Sequence, residues 1–438
     1  MNKIRQYFTT FVLIRGLMIA TLGSAFIYLN HWGFSFPLIN TFLGILSLYV
    51  LLQSDTKIWF TSGIFMGLFW FWWIALSLIH YEMLWAVPLE LLIIMLSYGF
   101  IFALISWLSE KITGFFSTPY LLLTLTVKAF GLILLSYVHP FSFDWYKPEL
   151  MFVESYVGIL KWQFALVLIS IILSIWRQQF LYLLLILFAS QTFIQQNTKE
   201  NAINTTKDIS STLTLITTHT SVQDKWDENK HQEQFDVLLS AIDHAIKDKK
   251  RLVIFPESVF PIFLNRSEEL FNTLKEKAKH ISIVVGALYW DGRTPRNSTY
   301  IFTKDHVSIA NKVLLVPFGE ANPLPDFLSD WVNKVFYDGA VDYKADSEVT
   351  DYEIDGTRYR NAICFEATSE KLYVTNKNGN YPPYMIVLSN NGWFTPSIEP
   401  SLQKLLLQYY SKKYGTTIYH AVNMSNSYII QKGKVVTK

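Results

Sequence analysis

The chain has 438 residues, of which 51% are hydrophobic and only 16% charged. A soluble protein carries about 25% charged residues, so the deficit excludes a disordered chain and argues against a wholly soluble one. A net charge of +2 excludes a nucleic-acid binder driven by bulk charge, and a single cysteine excludes both an internal disulfide framework and a Cys-rich zinc site.

Charge is unevenly spread. Residues 1–194 hold nine Lys/Arg and seven Asp/Glu, leaving 28 of each sign for the rest. A bilayer asks for about 20 apolar residues per helix. Seven such runs follow one another, near 7–29, 34–53, 58–79, 85–108, 118–138, 159–176 and 178–194. The sequence therefore predicts a polytopic helical membrane domain of about seven crossings over 1–194. Lys3, Arg5, Lys57, Lys111 and Arg177 fall on one side of these runs, which makes that side cytoplasmic. Lys147, in the longer connection 139–158, is the exception. Arg15, Glu90 and Lys128 lie inside the runs, and the aromatic stretch from Phe69 to Trp73 suits bundle packing or a lipid-facing belt. An odd number of crossings places everything after residue 195 outside the cytoplasm. The expected location is a bacterial inner membrane, with the second domain in the periplasm.

Residues 195–210, rich in Asn, Thr and Lys, read as a linker, and 211–438 as an α/β domain. Strands are predicted at 212–217, 251–255, 281–288, 298–302, 313–316, 361–364, 385–389, 418–422 and 428–430. Helices are predicted at 229–248, 266–280 and 400–414. The first of these carries Phe235, Leu238, Leu239, Ile242 and Ile246 at helical spacing. Strands alternating with helices argue for an α/β sandwich.

Three segments carry chemistry at predicted strand ends. Glu257 follows a buried strand and Pro256, where desolvation raises a carboxylate toward the range of a general base. Lys312 precedes the apolar run 313–316, and Glu320 follows it. Cys364 closes another strand, two residues before Glu366. Singly, each has a plainer reading: a buried inert thiol, or surface ion pairs. No P-loop, dinucleotide turn or His-rich metal motif accompanies them, so neither metal nor cofactor is expected.

Taken in order, Phe255-Pro256-Glu257, Lys312, Val316-Pro317-Phe318-Gly319-Glu320, Cys364-Phe365-Glu366 and Ser389-Asn390-Asn391-Gly392-Trp393-Phe394 resemble the nitrilase superfamily of carbon–nitrogen hydrolases, as does Lys225-Trp226. With the membrane half in front, nearly the whole chain looks like the apolipoprotein N-acyltransferase branch. The resemblance implies an α-β-β-α sandwich with Cys364 as nucleophile, Glu257 as base and Lys312 as oxyanion partner. Glu320 would support the lysine, Glu366 would stand beside the nucleophile, and Trp226 would handle substrate. It implies acyl transfer from a phospholipid, through a Cys364 thioester, to a diacylated apolipoprotein. The partners are then both lipids and the membrane itself, with a monomer expected and no nucleic acid.

Residues 324–336 place Phe327 and Trp331 on an apolar helical stripe, which suits either contact with the bilayer and its lipid substrates or ordinary packing on the sandwich. Two departures stand out. Phe365 occupies a position that is often tyrosine in the family. No apolar run of about 20 residues precedes Lys438 where the family has a closing helix, and a shorter variant or a truncated chain both fit that. A membrane-tethered amidase with water as acceptor and a non-catalytic membrane scaffold are the rival readings. Intact Glu257, Lys312 and Cys364 count against the scaffold.

Overall fold

A computed structural model describes residues 7–115, 120–140, 143–191, 212–317, 319–320, 343–374 and 381–437. The chain divides into two compact units, residues 1–199 with 396–405 and residues 200–395 with 406–438.

The first unit is helical. A helix lies at each predicted crossing, but only Thr10–His31, Thr56–His80 and Leu84–Gly114 are both long and apolar enough to span a bilayer, among the described residues. Pro37–Leu52, Leu121–Tyr137 and Phe180–Ala189 are apolar but shorter, and Lys161–Arg177 has 17 residues. At 1.5 Å per residue, 16 or 17 residues reach only about 25 Å, short of the ~30 Å hydrocarbon core. Local signals set the helix starts: Thr9 accepts from the Val12 amide, and Asp55 from the Ile58 amide at 3.0 Å. Small residues then let helices approach. A side chain at Gly63 would meet the Tyr98 carbonyl at 2.4 Å, and one at Gly16 would meet Thr61 Oγ1 at 2.3 Å. Trp70, Phe71 and Trp73 are buried, against Tyr146, Phe143 and Trp145, so bundle packing accounts for these members of the aromatic run. Lys128 is also buried, donating to the Ser54 carbonyl at 2.6 Å. Glu149 pairs with Lys161 at 2.6 Å and accepts from Ser136.

The second unit has two six-stranded sheets. The first runs β1 (Leu213–Leu215), β2 (Leu252–Ile254), β4 (Ser282–Trp290), β5 (Pro295–Phe302) and β6 (Val307–Asn311), with β3 (Phe260–Phe263) also on β4. The second runs β12 (Lys434–Thr437), β11 (Tyr428–Gln431), β10 (Thr417–Asn423), β9 (Tyr384–Asn390), β8 (Thr357–Ile363) and β7 (Asp351–Ile354). Alternation decides what each face buries. Ile254, Val284 and Ile301 of one sheet share a core with Ile386, Leu388, Tyr419 and Ala421 of the other, so the sheets pack face to face. Val253, Ile283 and Val285 point the other way, onto Leu238, Ile242 and Leu274 of helices His231–Lys247 and Glu268–Lys277. β9 and β10 pair in parallel, which requires a crossover. Helix Glu399–Tyr414 supplies it, and its Gln408 donates to the Gly433 carbonyl between β11 and β12.

One predicted strand is corrected. Residues 313–316 form a bend, and the strand lies earlier, at β6. The run is apolar enough for a strand, but its amides are taken by carboxylates. Val313 and Leu314 donate to Glu366, and Val316 donates to Glu320, so no ladder forms. Lys312 therefore follows a strand rather than preceding one. Strands β3, β6, β7 and β12 were not expected from the sequence. The predicted linker 195–210 and the stripe 324–336, with Phe327 and Trp331, lie outside the described residues.

Candidate active site

Glu257 stands just past β2. The Phe255 amide still pairs with the Val284 carbonyl at 2.8 Å, and the chain then turns at Ser258, whose φ is +46°. The turn lies directly over β4 at Gly286. A Cβ there would come within 2.5 Å of the Ser258 nitrogen and 2.7 Å of Glu257 Cα, so only glycine admits this path. Glu257 is thereby buried at 7% exposure.

Lys312 leaves β6 with its amide on the Asn297 carbonyl of β5, at 3.0 Å. Its Nζ lies 2.8 and 2.7 Å from the two Glu320 oxygens and 3.7 Å from Glu257 Oε1. Burial alone would push this ammonium down. The charges of Glu320, Glu257 and Cys364 outweigh it and hold the lysine above its ordinary value. Asn297 completes the group, its Nδ2 donating to Glu257 Oε1 at 2.7 Å and to Glu320 Oε1 at 2.9 Å.

Cys364 follows the last residue of β8 and opens a short 3₁₀ turn, Cys364–Thr368, in a left-handed backbone conformation with φ of +52°. It is half-buried. Glu366, in the same turn, is fully buried and accepts from the amides of Ile363 at 2.7 Å, Val313 at 2.8 Å and Leu314 at 3.1 Å. Burial pushes its carboxyl up to about 7, against the Lys312 charge and these three donors. Its oxygens are occupied by backbone, so it fixes the turn rather than facing a ligand.

Two buried residues escaped the sequence reading. Asn297 sits inside an ordinary strand, with nothing to single it out. Lys225, quoted beside Trp226 but given no role, is 1% exposed and donates from Nζ to the Glu257 carbonyl at 3.1 Å. Burial lowers it to about 8, while Glu257 and Cys364 pull it back up. Trp226, on the same short helix Val222–Trp226, is 40% exposed. Glu257, Lys312, Glu320, Cys364 and Glu366 are thus gathered in one place, with Lys225 and Asn297 among them. A carboxylate, two ammonium groups and a thiol in a largely buried setting can move a proton off sulfur and stabilise negative charge on a substrate oxygen.

Residues 10–195 match the apolipoprotein N-acyltransferase integral membrane domain. An apolipoprotein N-acyltransferase of Wolinella succinogenes is 39% identical, over 94% of each chain. One from Campylobacter jejuni is 35% identical over 100% of this chain and 93% of its own. Among solved structures, a CN-hydrolase superfamily protein from Xanthomonas campestris is 16% identical and covers 51% of this chain and 84% of that one, with a TM-score of 0.38.

Proposed function

The chain belongs to the apolipoprotein N-acyltransferase family, an integral membrane acyltransferase of lipoprotein N-acylation, and from that premise we propose that Cys364 carries the acyl group between a phospholipid and the apolipoprotein amine. In the first step Glu257 takes the proton of the Cys364 thiol. The thiolate attacks an ester carbonyl of the phospholipid, and the oxyanion develops beside the Lys312 ammonium. As the carbon–oxygen bond breaks, Glu257 returns the proton to the departing lysophospholipid oxygen, leaving a thioester. In the second step the N-terminal amine of a diacylglyceryl-cysteine attacks the thioester. Glu257 takes the amine proton, the carbon–nitrogen bond forms, and the thiolate leaves and is reprotonated.

Glu320 orients Lys312, Glu366 fixes the cysteine turn, and Trp226, exposed beside Lys225, contacts substrate, with Phe327 and Trp331 as further lipid contacts. About seven crossings of a bacterial inner membrane place 1–194 in the bilayer, and 195–210 links it to a periplasmic domain over 211–438. The domain is of nitrilase type and acts as a monomer, and the chemistry requires neither metal nor cofactor.

The observation that carries the reading is the Lys312 ammonium held between Glu320 and Glu257, with Glu366 tying the chain after Lys312 to the turn that carries Cys364. The test is mass spectrometry of a diacylated lipopeptide incubated with phospholipid and the purified protein. One added acyl chain on the N-terminal amine is expected, and none with Cys364→Ser. Release of free fatty acid without a lipopeptide product points instead to water as acceptor. Undiminished transfer by the serine variant removes Cys364 from the mechanism.

A further inference from the structure

We propose that Lys225 is a second cationic partner of Cys364, a positioning residue that holds the Glu257 turn from behind through its carbonyl at 3.1 Å and favours loss of the thiol proton to Glu257. The proposal rests on the reading of Cys364 as nucleophile and Glu257 as base.

The residue is held firmly. Ser221 Oγ caps its five-residue helix by accepting from the Asp224 amide at 3.1 Å, and Gln234 donates to the Asp224 carbonyl at 2.7 Å. The segment before it is tied to β10. Asn423 Oδ1 accepts from Thr218 Oγ1 at 2.8 Å and from the Thr220 amide at 3.0 Å, and its Nδ2 donates to the Thr220 carbonyl at 2.8 Å. A buried ammonium is a costly way to hold one carbonyl, because charge resists leaving water and an amide would serve that carbonyl as well. What a lysine adds is charge.

The charges around the thiol show why it is wanted. Lys312 already faces two carboxylates, Glu320 and Glu257. With Lys312 alone the cluster has a surplus negative charge, which would push the thiol up and leave it protonated. Lys225 brings the two signs level. Glu366 stands apart from this balance, because its oxygens face three backbone amides rather than the thiol. Among the described residues, further titratable groups lie beside Lys225. Asp224 is paired with Lys230, and the His231 ring lies against the Lys225 carbonyl.

The single cysteine makes the test specific, since iodoacetamide can label only Cys364 among thiols. Alkylation rate against pH is measured on the full-length protein in detergent, for wild type, Lys225→Met, Lys225→Gln and Lys225→Arg. Met and Gln are expected to raise the alkylation midpoint by about 1–3 pH units, the range over which a close opposite charge acts. Arg is expected to keep it near wild type. Gln retains a donor to the Glu257 carbonyl without the charge, so a wild-type profile in Gln would reduce Lys225 to a hydrogen-bonding pin and overturn the proposal. A shift in Arg equal to that in Met would do the same. If Met does not fold, the Gln–Arg comparison decides alone. Loss of the nucleophile reading is seen separately, as acyl transfer that survives Cys364→Ser.

Discussion

Asn297 is the residue on which the two carboxylates of the site depend together, and Asn297→Leu removes its side-chain donors at nearly constant volume. Its Nδ2 donates to Glu257 at 2.7 Å and to Glu320 at 2.9 Å. A hydrogen bond to a charged group contributes about 1.5–3 kcal/mol, so two such bonds are lost. Glu320 retains Lys312 and the Val316 amide, at 2.7 and 2.8 Å, and hardly moves. Among the described residues the Glu257 carboxylate retains Lys312 alone, at 3.7 Å, and closing that gap pulls it toward the lysine and off its task. The loss at Glu257 alone, about 1.5–3 kcal/mol, corresponds to a roughly 10- to 150-fold slower first step. Single-turnover acylation of Cys364 by phospholipid measures it directly, with thermal unfolding in detergent as the control for folding. Asn297→Asp sharpens the test. A third carboxylate between two others cannot ionise freely, so its deficit relative to wild type should widen as pH rises. Acylation by the leucine variant within threefold of wild type would refute the assignment, as would an aspartate deficit that does not change with pH.

Two further outcomes follow from the same geometry. Glu366 titrates near 7 when folded and near 4.5 when unfolded, so the unfolded chain loses this proton first as pH rises. Stability contributed by the protonated form is complete below 4.5 and lost by about 7, a fall of roughly 3 kcal/mol. The wild-type Tm should therefore drop between about pH 4.5 and 7 relative to Glu366→Gln, and parallel curves would contradict this. Gly286→Ala forces a Cβ to within 2.5 Å of the Ser258 backbone, between two chain segments that have no flexible side chain to yield. Overpacking of that kind costs about 1–3 kcal/mol, and here it should also slow acylation because the displaced turn carries Glu257. An alanine variant with wild-type Tm and rate would show that the turn is not pinned by this contact.

The sequence located residues whose position follows from composition and missed those whose role follows from tertiary contact. Glu257 follows the apolar strand β2 by three residues and Cys364 directly follows β8, so placement near a strand end was legible. Asn297 precedes the predicted strand 298–302 by one residue, and only the folded sheet brings its amide between two carboxylates 40 and 23 residues away. The run 313–316 failed for a related reason. Apolarity reports burial, but strand formation also needs partners for the amides, and Glu366 lies 53 residues from Val313 in sequence. The membrane half shows the same limit. Seven apolar runs were countable and, among the described residues, a helix lies on each, yet hydropathy does not say where a helix stops, and four of these described helices stop short of a bilayer's thickness.

The backbone at Cys364 joins these points. A cysteine at φ of +52° is held in a region that costs a non-glycine residue about 1–3 kcal/mol, and such strain persists only where surroundings over-determine it. In an extended continuation of β8 its side chain would follow the strand's alternation between two buried faces. The left-handed turn breaks that alternation as the strand ends. Glu366 supplies the over-determination. One of its oxygens takes the Ile363 amide, just before the cysteine, and the other takes the Val313 and Leu314 amides, just after Lys312. A single buried carboxylate thus ties together two segments whose key residues stand 52 positions apart in sequence. The strain at Cys364 and the irregular chain after Lys312 have one cause, and the same bonds that deny 313–316 a place in a sheet hold the thiol and the ammonium in register.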